Sequence, residues 1–379
     1  MTDVKPFRIA IPDSEVKDLH YRLDHTRWPD QLNDDDWSYG TELSYLRELV
    51  GYWRKEFDWR QQEALLNSFD QFTVDIDGLN THFIHQRSPH ADATPLIINH
   101  GWPGSIVEFL DLIPRLIEPE KFGGRAEDAF HVVAPSLPGY GFSEAARSPG
   151  MNTRAIARRH QTLMAELGYD SYVAQGGDWG SMVTRHLAEI DPEHCRAIHL
   201  NLVVALPEDD KNPMQGVSEE EQAFLAEDSR FRKDEMAYFK IQATKPQTLG
   251  YALQDSPVGL CAWLTEKFRT WTDCDGEIRN AISWDTLLTN ISLYWFSNSI
   301  TSSVRLYREH MQYPEPQNRI NVPTGAAVYR RELVRPPKAW VEASYNLIHW
   351  HRAERGGHFA AMEQPQAFAE DLWRFKKAL

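Results

Sequence analysis

Three segments of the chain carry side chains able to do chemistry, and each directly follows an apolar run that reads as a strand. In open α/β sheets, ligands bind beyond the carboxyl ends of the strands, so these positions are read first. The most informative is Gln175-Gly176-Gly177-Asp178-Trp179-Gly180-Ser181. Small residues around one functional side chain at a strand-to-helix junction suit a sharp nucleophile turn, because a Cβ on those neighbours would strike the packed helix. The functional side chain is Asp178, and no G-x-S-x-G occurs in the chain. Asp178 also has an ordinary structural reading, as the cap of a helix beginning near Ser181. The second segment is Arg355-Gly356-Gly357-His358-Phe359. A lone His is more often structural than catalytic, but a base placed after a nucleophile turn and after the last strand completes the order nucleophile, acid, histidine. The third is His100-Gly101-Trp102-Pro103-Gly104-Ser105, where Gly and Pro fix the backbone so that an N–H, that of Trp102, faces a cavity. It reads equally as a βα turn with common punctuation.

The elements that must position these groups follow from periodicity. Apolar runs at Pro95–Asn99, Phe130–Ala134, Tyr172–Gln175 and Ala197–Val203 alternate with helical patterns such as Thr153–Leu167 and Ser181–Ile190. That alternation predicts an α/β fold with a mostly parallel central sheet covered on both faces. Before it, Phe72–Gln86 alternates around Asp77-Gly78 and predicts a β-hairpin, and residues 1–70 read as helical and irregular, with a start signal at Pro12-Asp13-Ser14. From about 208 to 300 the pattern is helical and rich in charges and aromatics, with no convincing strand, so it is expected to form a cap inserted over the sheet. Strand-like runs return at Val322–Tyr329 and Asn346–Trp350, ahead of a closing helix from Pro365 to Lys377. The expected division is therefore 1–70, 71–207, 208–300 and 301–379, the second and last forming one core.

Composition narrows the function classes. With 40 Lys+Arg against 55 Asp+Glu the net charge is −15, which argues against a nucleic-acid or membrane-surface partner. No apolar run approaches the roughly 18 residues of a membrane span, and Met1–Asp13 lacks the build of a signal peptide, so a cytoplasmic protein is expected. Cys195, Cys261 and Cys274 fit neither a disulfide framework nor a zinc template.

Taken together, the three loops resemble those of the α/β-hydrolase superfamily, and within it the epoxide hydrolases of the microsomal type. His100–Ser105 is similar to their HGxP oxyanion loop, Gly176–Ser181 to their GGDxGS nucleophile turn and Arg355–Ala361 to their GGHFAA histidine loop. The segment Tyr238–Thr272 resembles their cap, and FRIAIPDSEVKDLHYRLDHTRWPD at 7–30 their N-terminal meander, so the likeness spans essentially the whole chain. No segment like the mammalian membrane anchor precedes the meander, which fits the expectation of a soluble protein. The resemblance implies Asp178 as nucleophile, His358 as base and Glu332, 26 residues earlier, as the acid that orients it. It implies an oxyanion hole at Trp102 and Trp179, and a substrate site formed by His100, Trp102, Trp179, Tyr238 and Tyr307 with the two tyrosines as proton donors. No cofactor and no metal enters. A small-molecule epoxide, apolar or aromatic, is the expected partner, and a homodimer is left open because the meander could wrap its own chain or a neighbour's.

Asp suits this chemistry for a reason independent of the resemblance. Opening an epoxide is displacement at saturated carbon; a Ser nucleophile would leave an ether, whereas Asp leaves an ester that water can cleave at the protein's own carbonyl carbon. Two competing readings remain at this level. One is a haloalkane dehalogenase, which also uses Asp followed by Trp; the other is a catalytically silent α/β-hydrolase fold that binds a small molecule. Detoxification, catabolism and biosynthesis are equally compatible with these residues. Trp263, Trp271 and Trp295 suggest an apolar pocket, although such aromatics more often serve as core.

Overall fold

The Asp77-Gly78 pair takes φ of 48° and 75°. A two-residue hairpin loop requires positive φ at both positions, and the strands it joins are β2 (Gln71–Ile76) and β3 (Leu79–Gln86). The computed structural model describes residues 3–32, 37–207, 212–314 and 318–379. A short β1 (Lys5–Phe7) pairs antiparallel with β2 and was not foreseen, because three residues with two exposed carry no periodic signal. The sheet continues through β4 (Thr94–Asn99), β5 (Phe130–Pro135), β6 (Tyr172–Gly176), β7 (Cys195–Leu200), β8 (Ile320–Arg331) and β9 (Tyr345–Gly357). Its order is β1-β2-β3-β5-β4-β6-β7-β8-β9, parallel from β5 to β9. The chain leaves β4 toward β5 on one side and returns to β6 on the other. This is a topological switch point, where a crevice opens at the strands' carboxyl ends. The loops that follow β4 and β6 are those of Trp102 and Asp178.

Helices α1 (Asp13–Asp24), α2 (Leu43–Lys55) and α3 (Trp59–Leu66) precede the hairpin. Two pairs cover the sheet: α5 (Thr153–Glu166) packs with α6 (Asp178–Ile190), and α4 (Leu112–Ile117) with the closing helix α15 (Pro365–Ala378). Between β7 and β8 come α7 (Glu219–Glu235), α8 (Ala237–Thr244), α9 (Pro246–Asp255), α10 (Pro257–Trp271), α11 (Trp284–Phe296) and α12 (Ile300–Gln312). Helix therefore runs on to Gln312 rather than stopping near 300, because α12 packs against α8 and α9 and buries Val304, Leu306 and Tyr307. The start expected for this block, residue 208, lies outside the described residues. After β8 come α13 (Lys338–Ser344) and, beyond β9, the single turn α14 (Ala360–Glu363).

The N-terminal helices pack on the inserted ones within the same chain: α1 and α2 on α10, and α3 on α11. Trp53 Nε1 donates to Ser292 Oγ at 3.1 Å and Tyr52 Oη to Asp285 at 3.0 Å. The three cysteines are buried and free. Among the described residues, no helix is long and apolar enough to cross a membrane.

Candidate active site

Asp178 stands at the first position of α6 with φ of 48°, a left-handed conformation that costs a non-glycine residue about 1–3 kcal/mol. Close approaches between this turn and the loop after β4 explain glycines in both. A Cβ on Gly180 would lie 2.0 Å from the Asn99 carbonyl oxygen, and one on Gly101 would lie 2.0 Å from Asp178 Oδ1. The N-cap of α6 is Gly177, with no side-chain capping bond, so Asp178 is not the helix cap. Its Oδ1 instead accepts the Trp102 N–H at 2.7 Å, and its Oδ2 lies 3.2 Å from His358 Nε2.

His358 follows β9. Its N–H donates to the Trp271 carbonyl at 2.9 Å, and its ring meets the Trp271 ring edge-on with centroids 5.1 Å apart. Nδ1 lies 2.6 Å from Glu332 Oε1. Glu332, just past β8, is buried; Oε1 also accepts the Leu333 N–H, while Oε2 has no partner. Burial opposes a charge on His358. The adjoining Glu332 carboxylate and hydrogen bonds to Asp178 and Glu332 outweigh it and raise the imidazole well above its ordinary 6.5.

Tyr238 on α8 and Tyr307 on α12 are both buried, with ring centroids 5.9 Å apart. Tyr238 stacks on Trp102 at 5.6 Å, and Tyr307 stands edge-on to Trp179 at 4.8 Å. Burial, with the Asp178 charge nearby, raises both phenols above their ordinary 10, so both stay protonated. A cavity of about 260 Å³ opens onto Asp178, Trp179, Tyr238 and Tyr307. Its other walls are mainly apolar, including Met182, Phe231, Met236, Phe239, Met311 and Leu333, with Arg232 and His310 as the polar members. A larger hollow of about 810 Å³, between the N-terminal segment and the start of α10, is lined by none of these residues.

The structure thus brings together Asp178, His358, Glu332, Trp102, Trp179, Tyr238 and Tyr307, but not His100. That imidazole does not line the cavity: Nε2 accepts the Leu137 N–H at 3.2 Å and Nδ1 lies 3.0 Å from the Gly101 carbonyl. Burial lowers it to about 4, so it is neutral and acts as support for the loop. Of the three tryptophans named from the sequence, only Trp271 meets these side chains, through ring contacts with Tyr238 and His358. Trp263 donates to Gln242 and Trp295 lies under Arg22, and none of the three lines the cavity.

Sequence reasoning missed the residues that hold these loops. On α11, Asn290 Nδ2 donates to the Pro103 carbonyl at 2.8 Å and Tyr294 Oη to the Gly104 carbonyl at 2.7 Å. Ser105 Oγ donates to Asn290 Oδ1 at 2.6 Å. Their i, i+4 spacing puts both on one helix face, the one available signal. Lys267, buried on α10, sets its ammonium 4.8 Å from the Tyr238 ring centroid. Among the described residues no group of side chains could hold a metal ion.

The chain is similar to known proteins over nearly its whole length. Residues 4–109 match the family model described as "Epoxide hydrolase N terminus", and residues 94–247 that described as "alpha/beta hydrolase fold". "Epoxide hydrolase 1" of Oryctolagus cuniculus is 38% identical over 404 residues, covering 98% of this chain and 88% of that protein. The crystal structure of juvenile hormone epoxide hydrolase from the silkworm Bombyx mori is similar with a TM-score of 0.91 at 33% identity, covering 100% of this chain and 95% of that one. For Aspergillus niger epoxide hydrolase the TM-score is 0.90 at 34% identity, with 99% and 96% covered.

Proposed function

The chain belongs to the epoxide hydrolases built on the α/β-hydrolase fold, and from that premise we propose that it converts an epoxide to a vicinal diol through an ester formed on Asp178. The observation that carries this reading is the setting of one carboxylate. Asp178 Oδ1 is held by the Trp102 N–H, Oδ2 lies 3.2 Å from His358 Nε2, and Tyr238 and Tyr307 line the same cavity.

In the first half-reaction a carboxylate oxygen of Asp178 attacks an epoxide carbon and the ring C–O bond breaks. The alkoxide takes a proton from a tyrosine, which His358 replaces. Forming the ester removes the charge of Asp178, one of the supports of the imidazolium, so His358 can act as a base. It then takes a proton from water, and the resulting hydroxide adds to the Asp178 carbonyl carbon. The oxyanion forms where the Trp102 and Trp179 N–H groups can receive it; one such donor is worth about 3–4 kcal/mol of barrier. On collapse the diol oxygen departs with the proton of the new carboxylic acid, restoring the carboxylate and imidazolium. Glu332 holds the imidazole through Nδ1 and so fixes the tautomer presented to water. The apolar walls favour an apolar or aromatic epoxide.

The test is a single turnover in oxygen-18 water with enzyme in excess. The diol should emerge mostly unlabelled and the peptide containing Asp178 heavier. Fully labelled diol from the first turnover would mean that water attacks the epoxide directly.

A further inference from the structure

Glu363, in the turn after the histidine loop, is buried with both carboxylate oxygens occupied by main-chain donors. Oε1 accepts the Phe359 N–H at 3.0 Å, and Oε2 accepts the N–H groups of Gly357 at 3.0 Å and Asp273 at 2.8 Å. Two of these donors flank His358 and the third lies just beyond α10. The same junction is closed from the other side. Asp273 Oδ2 accepts the Gly356 N–H at 3.0 Å, the His358 N–H reaches Trp271, and a Cβ on Gly357 would sit 2.4 Å from the Trp271 carbonyl oxygen.

We propose that Glu363 is a positioning residue that fastens the histidine loop to the end of α10 and supplies negative charge behind His358 during ester hydrolysis. This rests on the reading of Asp178 as nucleophile and His358 as base. While Asp178 is ionised, the imidazolium has a carboxylate on each ring nitrogen. In the ester that charge is gone, leaving Glu332 in contact and Glu363 behind the loop. The imidazolium that forms when water is deprotonated then depends on these two. The other charged groups nearby are already committed. Glu108, in the 3₁₀ turn Ile106–Phe109, is pushed up to about 8 by burial and is uncharged at neutral pH; Asp273 is engaged by Gly356 and lies 3.7 Å from Arg331. Burial also pushes the Glu363 carboxyl up, to about 7, against its three N–H donors and the His358 charge, so the charge it supplies is present above that pH.

Glu363→Gln keeps the shape, removes the charge and turns an NH₂ toward at least one main-chain donor. Stopped-flow single turnovers with styrene oxide would resolve alkylation and hydrolysis. The hydrolysis constant should fall about fivefold or more relative to the alkylation constant. The acidic limb of hydrolysis should move to lower pH, because the imidazole has lost a stabilising charge. A smaller change in that ratio, or a limb that does not move, would overturn the proposal, since a purely structural role would slow both steps together. If the Gln variant does not fold, Glu363→Asp, which keeps the charge with shorter reach, should slow hydrolysis without moving the limb; an unchanged ratio or a moved limb would overturn the proposal. A wild-type enzyme that hydrates styrene oxide without forming an ester would instead fail the reading of Asp178, and this inference with it.

Discussion

Tyr238 and Tyr307 matter, in the proposed reaction, only while an alkoxide is forming. Both phenols are buried and held in the protonated form, so each serves as donor to an oxygen that gains charge in ring opening and has none to shed in ester cleavage. Tyr238→Phe and Tyr307→Phe should each slow alkylation by about 10–1000-fold and leave hydrolysis nearly unchanged, as stopped-flow single turnovers would show. A defect confined to hydrolysis would assign the phenols a different role. Legibility at this scale depends on the company a residue keeps. Asp178 and His358 stand out because glycines and strand ends frame them. Glu332, in an arginine-rich Tyr329–Leu333 stretch, reads as surface until the resemblance singles it out, although its side chain is fully buried. Asn290 leaves almost no trace in the sequence because its partners, Pro103 and Ser105, lie far away along the chain, and Glu363 because all its partners are main-chain N–H groups, which nearly any residue type supplies.

Elements need fastening as well as packing, and the β7–β9 end of the sheet shows how. β7 and β9 present His199, His349 and His351 to one carboxylate, Asp371 on α15, each with a ring nitrogen 2.9 Å from it. Burial opposes the charge of Asp371, but hydrogen bonds from His199 and His349, with the His351 imidazole beside them, hold its carboxyl far below its ordinary 3.8. A depressed carboxyl contributes stability that is present above its unfolded value and is lost as pH falls through the folded one. Asp371→Asn should therefore cost about 3–5 kcal/mol at neutral pH, and the gap from wild type should close only below about pH 4, which urea unfolding across pH would measure. A gap independent of pH down to strongly acid conditions would mean that shape rather than charge fastens α15. The apolar strands β4 to β7 are plain in the sequence because both their faces are buried. β9 is longer than its apolar run because its later residues are half-buried at the edge, where His, Trp and Arg alternate without a hydrophobic rhythm.

Across the whole molecule, one line of contacts runs from the N-terminal helices to the Asp178 carboxylate. Trp53 and Tyr52 on α2 hold α11 through Ser292 and Asp285; α11 holds the Pro103–Ser105 loop through Asn290 and Tyr294; the loop presents the Trp102 N–H to Asp178. The N-terminal segment is thus tied to the Asp178 turn without supplying a reacting group, which accounts for a stretch, residues 1–70, that carries no chemical motif. Asn290 is the place to test this, since it touches neither Asp178 nor His358 by any hydrogen bond and serves two loop atoms at once. Asn290→Ala leaves the buried Pro103 carbonyl and Ser105 hydroxyl without their partner, which should cost about 1–3 kcal/mol of stability in urea unfolding. The kinetic consequence should be uneven. Ring opening needs the Asp178 carboxylate and the tyrosines, whereas ester cleavage needs the Trp102 N–H within hydrogen-bond reach of the oxyanion, so loosening the loop falls mainly on the second step. Single turnovers of the folded variant should show hydrolysis slowed by about tenfold or more, with alkylation changed much less. Equal slowing of both steps would mean that α11 supports the cavity as a whole rather than the Trp102 donor.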